Sequence, residues 1–185
     1  VKSCKEFGSI CPQNELVYEQ EATSDYETGS NQNEDCLTLN IWTSDLNSKK
    51  PVLVWIHGGA YFLGSGADCL SDSEDICREG KYVVVSMNYR LACFGFLRLI
   101  DLTDGKIPST GNEALLDQIE ALKWIQANIS SFGGDSKNIT LIGQSAGGHS
   151  IGTLLAMPDA KGLFQKAIVC DLSLIHISEP TRRGI

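Results

Sequence analysis

The stretch Ile139–Gly148, ITLIGQSAGG, constrains the fold of this chain more than any other part of it. Ile139, Leu141 and Ile142 form a short apolar run that reads as a buried strand. Gly143-Gln144-Ser145-Ala146-Gly147 then turns the chain, and residues 148 to 155 can be helical. A strand-to-helix turn of this length is so sharp that side chains at positions 143 and 147 would collide with neighbouring backbone. Glycine removes that clash. Ser145 is expected at the tip, its hydroxyl exposed above the positive end of the next helix.

A second glycine-rich turn lies upstream. Pro51–Ile56, PVLVWI, is a continuous apolar run expected to be a strand buried on both faces. It ends in His57-Gly58-Gly59-Ala60-Tyr61. Ester hydrolysis by serine needs a nucleophile, a base oriented by an acid, and donors for the oxyanion. Ser145 supplies the first. The backbone N–H of Ala146, immediately after it, is one candidate oxyanion donor. The N–H groups of Gly59 and Ala60 are the others, with Gly58 giving their turn its freedom.

The remaining strands and helices follow from patterning. Leu37, Leu39 and Ile41 alternate with polar or amphipathic neighbours and read as a strand. Tyr82–Met87 reads as another strand buried on both faces, and Phe164–Cys170 opens a further one. Glu113 to Ile129 carries Leu115, Leu116, Ile119, Leu122, Ile125 and Ile129 at a helical period. Residues 64 to 75 and 98 to 110 read as loops, and residues 1 to 35 as a polar, acidic surface segment. Buried strands alternating with helices predict an α/β class with a mostly parallel sheet.

Composition narrows the partners. The chain has 185 residues and a net charge of −8, which argues against nucleic acid and anionic membrane surfaces. No apolar run approaches the ~20 residues of a membrane span. None of the seven cysteines shows C-x-x-C spacing and the three histidines cluster with none of them, so neither a metal nor another cofactor is expected.

With these motifs in place, the chain resembles a type-B carboxylesterase, the carboxylesterase and cholinesterase family of the α/β-hydrolase fold. The matching stretches are EDCLTLN at 34 to 40, VWIHGGAYFLGSG at 54 to 66 and NYRL at 88 to 91. GNEALLDQIEALKW at 111 to 124, FGGDSKNITLIGQSAGG at 132 to 148 and KGLFQKAI at 161 to 168 complete the match. The resemblance implies an acyl-enzyme on Ser145 and a disulfide between Cys11 and Cys36. Cys69 and Cys77 are left open as a second pair, and Cys93 is expected in the core. It also implies that residues 1–171 are an internal fragment of one α/β-hydrolase domain, incomplete at both ends. The triad acid and histidine then lie downstream, and the fragment alone is expected to be inactive.

Other residues are expected to be structural. His149 packs on the helix after Ser145, Asp117 is a hydrogen-bonding residue, and Glu34, Asp35 and Arg90 form charge pairs. Gln144 is neutral where acetylcholinesterases carry Glu, and residues 12 to 35 hold no Trp, which disfavours choline esters and leaves a small-molecule carboxylic ester or acylglycerol as the substrate that the resemblance implies. The sequons at Asn128 and Asn138, with the disulfide, suggest a secreted or extracellular parent, although Asn138 abuts a buried strand and is not expected to be an acceptor. After Asp171 the resemblance stops. LSLIHISEPTR, residues 172 to 182, resembles a translated sequencing adapter, so residues 172–185, His176 included, are expected to be a non-native tail. The competing reading is a non-catalytic, cholinesterase-like adhesion or binding protein.

Overall fold

The computed structural model describes residues 6–14, 31–68 and 70–170. Five strands form one sheet: β1 (Leu39–Trp42), β2 (Lys50–Ile56), β3 (Val83–Met87), β4 (Gly134–Gln144) and β5 (Lys166–Cys170). Their order is β1-β3-β2-β4-β5. The three central strands and β5 run parallel, with Val54 opposite both Val85 and Leu141, and Ile142 opposite Ile168. β1 closes the other edge antiparallel to β3, with Ile41 opposite Val85. This is the mostly parallel α/β sheet that the patterning predicts.

Burial follows the pairing. All five residues of β3 are buried. In β2, Val52, Val54 and Ile56 are fully buried, while Leu53 and Trp55 are only partly covered. The expectation of a strand buried on both faces is therefore met by β3 and corrected for β2. The edge strand β5 leaves Ile168 and Val169 exposed.

Among the described residues, four helices flank the sheet: α1 (Leu70–Arg78), α2 (Ala92–Phe96), α3 (Glu113–Asn128) and α4 (Ala146–Ala156). In α3, Ile119, Leu122 and Ile125 are buried at helical spacing, as expected, whereas Leu116 turns outward. A short 3₁₀ turn, Ile129–Phe132, continues α3, and Gly133 ends it in the left-handed conformation with φ 78°. No side chain fits at Gly133, where a Cβ would meet the Ser48 hydroxyl at 2.6 Å and the Asp45 backbone. α4 packs on β2, β4 and β5, and α3 contacts β4, α2 and α4. Residues 70 to 75, expected as loop, are the first turns of α1, and α2 is a helix that the pattern does not announce.

The segments before β1 are tied down by polar side chains. Asn88, buried just after β3, donates to the carbonyls of Ser9 and Cys36 (both 3.1 Å) and accepts from the N–H of Gly66 (2.7 Å). Gln13 accepts from the N–H of Gly64 (2.8 Å) and donates to its carbonyl (3.1 Å). The expected Cys11–Cys36 disulfide is absent: both are buried free thiols. The two side chains are hydrogen-bonded, and the N–H of Leu91 donates to Cys11 Sγ (3.2 Å). That bonding lowers the Cys11 thiol to about 7, while the same contact and burial push Cys36 upward. Closure of the segment comes instead from Ile10, which exchanges backbone hydrogen bonds with Asn31 and Asn33. Cys93 is likewise not in the core but exposed on α2. Cys69, the other half of the open pairing with Cys77, lies outside the described residues, as do residues 171–185 with His176.

Candidate active site

Ser145 sits between β4 and α4 with φ 52° and ψ −119°. A non-glycine residue held in so sparsely populated a region costs about 1–3 kcal/mol, and such strain persists where the surroundings over-determine it. The surroundings here are glycines. A Cβ on Gly143 would lie 2.6 Å from the carbonyl carbon and oxygen of Gly147. A Cβ on Gly147 would lie 2.8 Å from the carbonyl oxygen of His57 and nearer still to that of Ile56. The sequence argument for both glycines thus holds in space, and the second also shows that α4 starts directly against the end of β2. Ser145 is held on both sides. Its N–H donates to the Cys170 carbonyl on β5 (3.2 Å), and its own carbonyl accepts from the N–H of His149 (2.9 Å).

The turn after β2 meets the serine turn. A Cβ on Gly58 would be 2.6 Å from Gln144 Oε1 and 3.4 Å from Ser145 Cβ. Gly59 takes φ 97°, Ala60 φ 51° and Tyr61 φ 65°. The Gly59 carbonyl accepts from the N–H groups of Phe62 (2.9 Å) and Leu63 (3.1 Å), closing the turn. Among the described residues, the N–H groups of Gly59 and Ala60 donate to no acceptor. The N–H of Ala146 belongs to the first turn of α4, which has no intrahelical acceptor. Of the sequence-predicted residues, Gly58 thus meets Ser145 across two distant loops, with Gly59 and Ala60 next to Gly58 in its turn and Ala146 next to Ser145.

Aromatic groups that the sequence reading left without a role support this assembly. Tyr89, fully buried, stacks on His57 with centroids 4.3 Å apart and donates to its carbonyl (2.7 Å). Burial pushes the Tyr89 phenol up and the His57 imidazole down, so both stay neutral at pH 7. His57 Nδ1 lies 2.8 Å from the Gly58 carbonyl, which occupies one ring nitrogen within its own turn. Ser150 Oγ on α4 donates to the Tyr61 hydroxyl (3.2 Å) and accepts from Gln118 Nε2 (3.1 Å). Both tyrosines lie inside motifs that the sequence displays, HGGAY and NYRL, but only the fold shows what they hold.

The charged residues behave as structure. Asp117 receives Arg90 through both carboxylate oxygens (2.7 and 2.8 Å) and also accepts the Arg90 backbone N–H (3.1 Å). Asp117 thus orders the start of α2 and reaches no reacting group. The pairs expected from Glu34 and Asp35 are not formed with Arg90: both acids are exposed, and the Asp35 N–H donates to Asn33. Glu113, unremarked in the sequence, accepts the N–H groups of Thr110 (2.6 Å) and Gly111 (2.9 Å).

Comparison with known proteins shows the family and the fold. A model of the carboxylesterase family matches residues 1–178. The para-nitrobenzyl esterase of Bacillus subtilis is 50% identical over 165 residues, covering 88% of this chain and 32% of that protein. Acetylcholinesterase-1 of Trittame loki is 45% identical over 141 residues, covering 74% and 24%. Among solved structures, a thermophilic PNB esterase superposes with a TM-score of 0.76 at 47% identity, covering 86% of this chain and 32% of that one. A carboxylesterase of Geobacillus stearothermophilus gives 0.75 at 42% identity, covering 89% and 32%. The chain spans about a third of the length of these bacterial esterases.

Proposed function

Because the chain belongs to the carboxylesterase family, we propose that it carries the nucleophile and oxyanion half of a serine esterase acting through an acyl-enzyme. The observation that carries the reading is Ser145 at φ 52°, strained at the strand-to-helix turn with Gly58 of the second loop against it. In this reading Ser145 Oγ attacks the ester carbonyl, and the N–H groups of Gly59, Ala60 and Ala146 receive the oxyanion. A base takes the serine proton and returns it to the departing alcohol. Water then releases the acid and restores Ser145.

The base is not among the described residues in this reading. His57 is engaged in its own turn, and His149 sits on α4 with its backbone in the helix. The histidine and acid therefore belong to sequence beyond this segment. No helix among the described residues is long and apolar enough to cross a membrane. A neutral ester fits Gln144 better than a choline ester does. Export of the parent rests on the two sequons alone, since the thiols of Cys11 and Cys36 are free.

The test is a full-length protein carrying this segment, assayed on p-nitrophenyl acetate. Ser145→Ala should lower kcat by about 10⁴ or more, with near-UV circular dichroism unchanged. Residues 1–185 alone should not be labelled stoichiometrically by a serine-reactive organophosphate, because an alcohol without a base is hardly nucleophilic at neutral pH. Turnover that survives Ser145→Ala would remove this serine from the mechanism.

A further inference from the structure

The turn after β2 carries two non-glycine residues at positive φ in succession, Ala60 at 51° and Tyr61 at 65°. Backbone of this kind is costly and persists only where its surroundings impose it. Ala60 has only a methyl group to be gripped by, so the restraint falls on Tyr61. The Tyr61 carbonyl accepts the Ala92 N–H (2.8 Å), and its ring meets Phe96 edge-on at 4.9 Å. Both contacts tie the turn to α2. The Tyr61 hydroxyl reaches α4 instead, where Ser150 Oγ donates to it at 3.2 Å.

Ser150 follows Ala146 by four residues, one helical turn, and so lies on the same face of α4. Ala60 and Ala146 are proposed oxyanion donors on the two loops. The Ser150–Tyr61 hydrogen bond therefore joins the neighbour of one donor to the turn-mate of the other. Ser150 is fully buried, and so is Gln118 on α3, whose Nε2 donates to Ser150 Oγ at 3.1 Å. With the amide donating to its oxygen, Ser150 has its single proton to give to Tyr61.

Gln118 bears a cost in this arrangement. Its Oε1 is buried and has no hydrogen-bond partner among the described residues. An unpaired buried acceptor is destabilising. A methionine would fill similar space without that cost, but it could not supply the N–H that orients Ser150. We propose that Ser150, oriented by Gln118, is a positioning residue for the oxyanion turn: its hydroxyl holds Tyr61, and through Tyr61 the Ala60 N–H, in place beside the Ala146 N–H. The proposal rests on the esterase reading, in which these N–H groups receive the oxyanion. Losing such a donor outright costs about 10²–10³ in rate, so a donor displaced but still present should cost less, about tenfold.

The test uses a full-length protein carrying this segment and two variants that each delete one oxygen, Tyr61→Phe and Ser150→Ala, with near-UV circular dichroism to establish folding. In either variant kcat and kcat/KM for p-nitrophenyl acetate should fall together by about tenfold, the pattern of an interaction made in the transition state. The inhibition constant of trifluoroacetophenone, which adds to Ser145 as an oxyanion, should rise by about the same factor, while that of benzyl alcohol, which forms no oxyanion, should stay within about twofold. The double variant should match either single within about twofold, because both remove the same bond. Unchanged turnover and inhibition in a folded variant overturn the proposal, and so do losses that multiply in the double variant. Either single variant decides if the other misfolds. A parent that is silenced by Ser145→Ala but indifferent to Tyr61→Phe and Ser150→Ala overturns this proposal alone. A parent that hydrolyses no ester, or whose Ser145→Ala form still does, overturns the Ser145 reading and this proposal with it.

Discussion

Gly147→Ala isolates the contact on which the proposed active site depends. The added methyl would lie 2.8 Å from the carbonyl carbon of Ile56 and from the carbonyl oxygen of His57. Carbon contacts are optimal near 3.5–4.0 Å, so α4 or the end of β2 must retreat by about 0.7 Å or more. Neither partner can yield as a side chain would, because both are backbone. Overpacking of this kind costs about 1–3 kcal/mol. The retreat also widens the gap between Ser145 and the Gly59–Ala60 N–H groups. A 1 Å misplacement at a reacting centre can cost about 10²-fold. Gly152→Ala, on the same helix, is the control: nothing lies within 4 Å of its would-be methyl, and removing a helical glycine should stabilise by about 0.5–1 kcal/mol. Urea titration and p-nitrophenyl acetate turnover of both variants, in a full-length protein carrying this segment, give the comparison. A folded Gly147→Ala protein within twofold of the unmodified rate would refute the claim that this contact sets the distance.

Asp117→Asn leaves the part-exposed Arg90 guanidinium without its carboxylate and should cost about 1–2 kcal/mol in urea titration, with no change in the pH profile of turnover. Glu113 gives a pH-dependent outcome. Burial pushes its carboxyl upward, but the N–H groups of Thr110 and Gly111 outweigh it, and the net shift is downward. A depressed carboxyl stabilises the fold above its unfolded value, near 4.3, and that contribution is lost as pH falls through the lower folded value. Glu113→Gln should therefore be less stable than the unmodified protein at pH 7, the gap closing below about pH 4. A gap that persists unchanged at pH 3 would contradict the assignment.

The sequence displays best those features whose cause is local. Gly143 and Gly147 are legible because a sharp turn after an apolar strand tolerates no Cβ, and Val83–Met87 because five consecutive buried positions leave no polar face. The helix of Glu113–Asn128 announces itself by period. α1 does not, because Ser71-Asp72-Ser73-Glu74-Asp75 has the composition of a loop, and α2 carries a glycine in its middle turn. Partner choice is a tertiary property: nothing near Arg90 in sequence points to Asp117, 27 residues on. Two cysteines in a family-like position do not say whether their sulfurs are joined, and here hydrogen bonds around Cys11 take the place of the bond.

The hydrogen bond from the Ser145 N–H to the Cys170 carbonyl places part of the serine's restraint 25 residues later in the chain. During synthesis the turn therefore exists before the strand that holds it. At about 5–20 residues per second, translation leaves Ser145 without that partner for roughly 1–5 s. In that interval the cost of its positive φ is opposed by the glycine contacts at Ile56 and Gly147 and by the His149 N–H, without the bond from β5. That restraint is completed when β5 emerges and pairs with β4, so the nascent protein holds its proposed nucleophile less firmly until the sheet around it has been extended.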